Sequence, residues 1–186
     1  MRNIVEEIRK FVEEECKNPK SKYGYGPYEN HFVPMHNYAT TLAEKLNADV
    51  EVIEIAAWLH DIGSILYGRE NHHITSAELA EKKLKEINYP EEKIEKIKKC
   101  ILHHRGSVQS KKESVEEQII ADADVMSAFE HIEGLFKAAL VYEKLDLDDT
   151  RKSIKQKLIN SWNKLSSEEA KSIIKPKYEA VMLLLK

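Results

Sequence analysis

The sequence predicts an all-α fold, a compact single domain over residues 1–186. Apolar residues recur with helical period nearly throughout, and no segment alternates convincingly with period two. Helix-start signatures, a serine or threonine followed three residues later by glutamate, stand before apolar runs. At 186 residues, with 42% hydrophobic and 33% charged positions, the chain is long enough to bury one core.

Taken in order, Ile4, Ile8, Phe11 and Val12 form the stripe of the first helix. The Gly/Pro/Tyr-rich stretch KSKYGYGPYEN reads as a loop. A second helix begins near Asn30 to Pro34, where proline is tolerated because first-turn N–H groups lack intrahelical partners. Its stripe is Met35, Tyr38, Leu42 and Leu46. Asp49 caps a third helix through Val52, Ile55, Ala56 and Leu59, which leads to His60-Asp61 and stops at Gly63. Thr75 and Glu78 form a capping box with Ile74 and Leu79 as its staple, opening a fourth helix to about Asn88. Pro90 opens the fifth, which carries Ile94, Ile97 and Ile101 to His103-His104 and ends at Gly106. Ser114 and Glu117 start the sixth, through Ile119, Ala123 and Met126. Residues 135–145, 154–165 and 167–186 read as three more, with Pro176 breaking or kinking the last.

The bulk numbers exclude several classes. With 29 basic and 32 acidic residues the net charge is -3, which gives no electrostatic argument for a nucleic-acid polymer or an anionic membrane. No run approaches the ~20 apolar residues that span a bilayer, and MRNIVEEIRKFVEEE is amphipathic without the apolar segment of a secretory signal. The two cysteines, Cys16 and Cys100, have no metal-type spacing and fit a reduced, cytoplasmic protein.

Chemistry-bearing residues collect at predicted helix ends. His31 starts the second helix, His60 and Asp61 end the third, His72 and His73 precede the fourth, His103 and His104 close the fifth, and Asp124 lies in the sixth. Imidazole with carboxylate suits divalent transition metals. Taken singly, each piece is ordinary: a histidine at a helix C-terminus is usually there for the dipole or a capping bond. What points to a site is their co-occurrence on separate helices.

In order, these pieces resemble the HD-domain superfamily of metal-dependent phosphohydrolases, in its HDIG form. The stretches that carry the resemblance are His31-Phe32-Val33-Pro34-Met35-His36-Asn37-Tyr38-Ala39, Ala56-Ala57-Trp58-Leu59-His60-Asp61-Ile62-Gly63, His72-His73-Ile74-Thr75-Ser76-Ala77, Ile101-Leu102-His103-His104-Arg105 and Ala123-Asp124-Val125-Met126-Ser127-Ala128. They define a motif core over residues 28–130, with helices over 135–186 packing on it.

The resemblance implies His31, His60, Asp61 and Asp124 around one divalent ion (Mn, Fe, Co, Ni, Zn or Mg). It implies a second ion held by His72, His103 and His104, with Asp61 bridging and a bound water as nucleophile. His36 rivals His31 but matches a core position of the motif. Asp122 rivals Asp124; two residues apart on a helix they point ~200° apart, so only one faces the ion. His73 stands in for His72 should the latter point outward. Ser64 replaces the lysine common after HDIG, and Arg69 and Arg105 are the candidates for the missing phosphate contact. Gly63-Ser64-Ile65-Leu66 lacks the acidic residues of alarmone hydrolases, and Arg105-Gly106-Ser107 departs from the Gly-Tyr-Pro signature of cyclic-dinucleotide enzymes.

The expected activity is hydrolysis of a phosphate mono- or diester, a nucleotide or a related small phosphorylated metabolite. Specificity would lie in loops 17–30, 64–71 and 106–114. A di-iron oxygenase on the same scaffold and a non-catalytic metal- or nucleotide-binding module are the alternatives. A homo-oligomer is compatible with the sequence.

Overall fold

The structure, a computed structural model, describes residues 3–105 and 112–186. Its α-helices are α1 (Ile4–Lys17), α2 (Val33–Leu46), α3 (Val50–Leu59), α4 (Ile62–Tyr67), α5 (His72–Glu86), α6 (Glu91–His103), α7 (Val115–Ser127), α8 (Ile132–Lys137), α9 (Leu147–Lys164) and α10 (Glu168–Leu184). Single π-helical turns cover Tyr28–Phe32 and Ala138–Tyr142, and no strand occurs among the described residues. None of the described helices is long and apolar enough to cross a membrane.

The centre of the molecule is α3. Val52, Ile53, Ile55, Ala56, Ala57, Trp58 and Leu59 are all buried, and only the first turns of the helix, at Val50, Glu51 and Glu54, reach the surface. A helix apolar over most of its circumference packs inward, and here α1, α2, α6 and α7 pack against it. Asp49 starts it, its side chain accepting the Val52 N–H. Enclosure of α3 carries its C-terminal residues, His60 and Asp61, to the middle of the fold. The pair α5 and α6 packs together beside it. At the other end of the chain, α9 and α10 contact α7, and their Ile154, Leu158, Ala170 and Ile174 are buried. Trp162 stacks on Tyr178 there, with ring centroids 4.5 Å apart.

Several boundaries differ from those expected. The chain does not stop being helical at Gly63: α3 ends at Leu59, His60 and Asp61 make the turn, and α4 runs on through Gly63. Glycine is needed there for closeness, because a Cβ would lie 2.2 Å from Thr75 Oγ1 and 2.7 Å from the Ser76 nitrogen. Helix α5 starts at His72 rather than at Thr75, so no capping box forms. Thr75 instead donates its hydroxyl to the His72 carbonyl, and the intended staple residue Ile74 is exposed.

The expected helix over 135–145 is split between α8 and the second π-turn, while α9 starts at Leu147, seven residues before Ile154, on an Asp146 cap. Helix α10 continues through Pro176 without a break, anchored upstream of it by buried Ala170 and Ile174. The expected end of the fifth helix at Gly106, and much of loop 106–114, lie outside the described residues.

Candidate metal centre

Helix termini position the site. At the end of α3 the His60 ring folds back and its Nδ1 donates to the Ala57 carbonyl at 2.8 Å. At the end of α6 His104 does the same with the Ile101 carbonyl at 2.6 Å. At the start of α5 the His72 Nδ1 bonds the Arg69 carbonyl at 2.8 Å. Each contact spans three residues. A carbonyl can only accept, so in all three rings Nδ1 carries the hydrogen and the neutral ring's Nε2 keeps its lone pair.

His31, in the first π-turn, reaches the same state by another route. Its Nδ1 lies 3.0 Å from Ser127 Oγ, and that hydroxyl spends its own proton on the Asp124 carbonyl at 2.7 Å. Ser127 therefore accepts from His31, and His31 Nε2 too is left with a lone pair.

These four Nε2 atoms converge on Asp61. Its Oδ2 lies 3.7 Å from His31 Nε2, while Oδ1 lies 3.2 Å from His72 Nε2 and 3.6 Å from His104 Nε2. Oδ1 is buried and accepts no hydrogen bond of good geometry. Asp124 Oδ1 stands 3.6 Å from His31 Nε2 and 3.8 Å from His60 Nε2. Two sets result, His31–His60–Asp61 and Asp61–His72–His104, each with its donor atoms within 4.8 Å of one another.

The donor set fits a cation. His31 and His60 bring their Nε2 atoms to 2.9 Å with a lone pair on each, an arrangement that repels unless a positive charge sits between. Burial opposes ionisation of Asp61, yet imidazoles around it that carry a proton on the facing nitrogen, His60 first and then His104, hold its carboxyl well below the usual carboxylate range. Burial likewise lowers His60 to about 4, keeping it neutral. His104 moves the other way: burial disfavours its charge, but the Asp61 and Asp124 carboxylates outweigh burial and raise it. The floor, made by His60, His72 and His104, is buried, whereas His31, Asp61 and Asp124 are partly exposed.

The remaining candidates stand elsewhere. His36 pairs with Glu54 at 3.2 Å and stacks on Trp58, away from both sets. Asp122 accepts four hydrogen bonds from the backbone and hydroxyls of Ser166 and Ser167, and so pins the start of α10. His103 joins neither set; its Nδ1 bonds the buried Glu117 carboxylate at 2.7 Å. Ser114 does accept the Glu117 N–H, but the Glu117 side chain goes to His103 and the Glu113 N–H, leaving the capping box half formed. His73 sits edge-on to His72 with ring centroids 5.9 Å apart, and its Nδ1 is buried without a partner. Arg69 is exposed and Arg105 half-buried.

Ser127 and Glu117 escape a search for ligands, since neither is one. The Asp124-to-Ser127 spacing of three residues on a helix is the signal that could have found Ser127.

A sequence model of the HD domain matches residues 28–128, more than half of the chain. The chain belongs to the HD-domain family. Its fold is that of HD-superfamily hydrolases: one from Bacillus thuringiensis superposes with a TM-score of 0.75 at 18% identity, covering 98% of this chain and 93% of that one. Bacillus subtilis YpgQ in complex with ADP superposes with a TM-score of 0.72 at 20% identity, over 97% of this HD-domain chain and 92% of the other. Among curated proteins, a tRNA (cytidine(56)-2'-O)-methyltransferase from Thermoplasma volcanium is 26% identical over 156 residues. That match takes in 76% of this chain and 44% of the methyltransferase, so the chain spans under half the length of that relative.

Membership supports a metal-dependent hydrolase, and the two His/Asp sets are where divalent metal can be held in this HD domain.

Proposed function

We propose that this HD domain is a phosphohydrolase that cleaves a phosphate mono- or diester of a nucleotide or a related small metabolite. The observation that carries the reading is Asp61, whose two oxygens face different imidazole sets. One carboxylate shared in this way suits a pair of adjacent ions.

His31, His60, Asp61 and Asp124 would hold one ion, and Asp61, His72 and His104 a second. Divalent ions there supply a bound water of lowered pKa and neutralise charge on the phosphoryl oxygens. The chain's own part is orientation. Main-chain carbonyls and Ser127 aim the imidazoles, Asp61 and Asp124 keep the site anionic, and His60, His72 and His104 form its buried floor. Arg69 and Arg105, on segments that flank His72 and His104, are the proposed phosphate contacts.

The ADP bound by the similar Bacillus subtilis protein favours a nucleotide. A net charge of -3 gives no reason to extend that to an RNA polymer, despite the methyltransferase relative. Free, buried Cys16 and Cys100 fit a reducing compartment such as the cytoplasm.

The test is phosphate release from a panel of nucleotides by protein loaded with Mn, Co, Ni, Zn, Fe or Mg. His60→Ala and Asp61→Ala should each abolish turnover, and activity surviving both changes would sink the reading. Oxygen consumption by iron-loaded protein, with no phosphate released, would favour the oxygenase alternative.

A further inference from the structure

We infer that Ser127 is the positioning residue of the first ion site, fixing the tautomer of His31 so that Nε2 faces the metal. The inference rests on the metal-centre reading and adds a residue that is not itself a ligand.

Three of the four converging imidazoles are oriented by main-chain carbonyls, which no side-chain substitution removes. His31 differs. The carbonyl three residues before it belongs to Tyr28, and the π-turn already uses that carbonyl for the Val33 N–H. His31 Nδ1 turns instead to Ser127, on a different helix and 96 residues away.

The end of α7 is built to make that contact directional. Ala128 N–H bonds the Val125 and Met126 carbonyls rather than that of Asp124. The Asp124 carbonyl is left to take the Ser127 hydroxyl proton. With that proton committed, Ser127 Oγ can only accept from His31.

A closed circuit results. Asp124 faces His31 Nε2 through its carboxylate and, through its carbonyl and Ser127, controls His31 Nδ1. Ser127 is buried, so water does not stand in for it. Without its hydroxyl, His31 gains by moving the hydrogen to Nε2, where it can donate to the His60 Nε2 lone pair at 2.9 Å or to the Asp61 and Asp124 carboxylates, and block the metal-facing lone pair.

The experiment uses the full chain. Imidazole nitrogen–proton correlation spectra of metal-free protein, with the His31 signals assigned through His31→Gln, read the tautomer directly. Calorimetric titration with Co²⁺ reads the affinity of each ion. In the unsubstituted protein the hydrogen should sit on Nδ1.

Ser127→Ala should move that hydrogen to Nε2 and weaken the first ion about 10- to 100-fold, the usual effect of losing an orienting partner. Binding to the Asp61–His72–His104 set should stay within about twofold. Ser127→Thr, which keeps the hydroxyl, should restore both readouts.

An unchanged tautomer with unchanged Co²⁺ affinity would overturn the inference. So would equal weakening of both ions together with a lower metal-free melting temperature, the pattern of a merely structural serine. Failure of the unsubstituted protein to bind Co²⁺ would instead remove the metal-centre reading, while the tautomer comparison would still decide the role of Ser127.

Discussion

His31 and His60 bring their Nε2 atoms to 2.9 Å although both rings spend their only hydrogen on Nδ1 contacts elsewhere. With both rings in that tautomer two lone pairs face each other, and a cation shared between them turns the contact into an attractive one. Divalent ions should therefore stabilise the protein. At a concentration 100 times Kd the gain is about 2.7 kcal/mol, or roughly 5–10 °C in melting temperature for a chain of this size. Thermal scans with chelator and with each metal in turn would measure it, and identical midpoints throughout would refute the prediction.

Asp61 is the one carboxylate common to both imidazole sets, so substitutions should divide by stoichiometry. Elemental analysis of Asp61→Ala is expected to find no bound metal. His72→Ala should retain the first ion and lose the second. His103→Ala should keep the full complement, because His103 stands outside both His/Asp sets.

Protons should compete unequally for the two sets. His104 is raised by the carboxylates near it, so its charged form persists to higher pH, and protonated imidazole cannot ligate. His60 is lowered to about 4 and stays neutral well into acid. On acidification the Asp61–His72–His104 set should lose its ion before the His31–His60 set does. Metal content of samples dialysed at stepped pH checks the order, and the opposite order would contradict it.

Gly63 sits where α4 presses on the first turn of α5, and its N–H donates to Ser76 Oγ at 2.9 Å. Gly63→Ala would drive a Cβ into backbone as well as side chain, and overpacking of that kind costs about 1–3 kcal/mol. The same displacement would part Asp61 from His72. Denaturant unfolding should show the loss, and metal analysis should show the second ion weakened.

Asp122 carries no catalytic expectation but a structural one. Its carboxylate is the acceptor for two backbone N–H groups and two hydroxyls at the start of α10. Asp122→Ala strands those donors, and hydrogen bonds to a charged group are worth about 1.5–3 kcal/mol each at the upper end of the range. A lower unfolding midpoint with unchanged metal stoichiometry is expected; lost metal with unchanged stability would reverse the roles of Asp122 and Asp124.

Local patterning is enough to establish that the chain is helical, that most of α3 is buried, and that histidines and aspartates gather at helix ends. Those properties follow from local spacing: a run apolar over most of its circumference packs inward, and the residue after such a helix is carried inward with it. Spacing also showed that Asp122 and Asp124 cannot both face one ion, while the preference for Asp124 came from the resemblance.

Only the tertiary structure decided which imidazoles meet. His103 and His104 are neighbours in the chain, yet His104 turns to Asp61 while His103 is taken by Glu117, fourteen residues on, across the gap between α6 and α7. The helix containing Gly63 continued past it because Thr75 and Ser76 pack against that position, a contact that no local signal encodes. Ser127 acquired its importance only when His31 was folded against it. Helical period reports which way a side chain points; what it meets there depends on chain brought from far away.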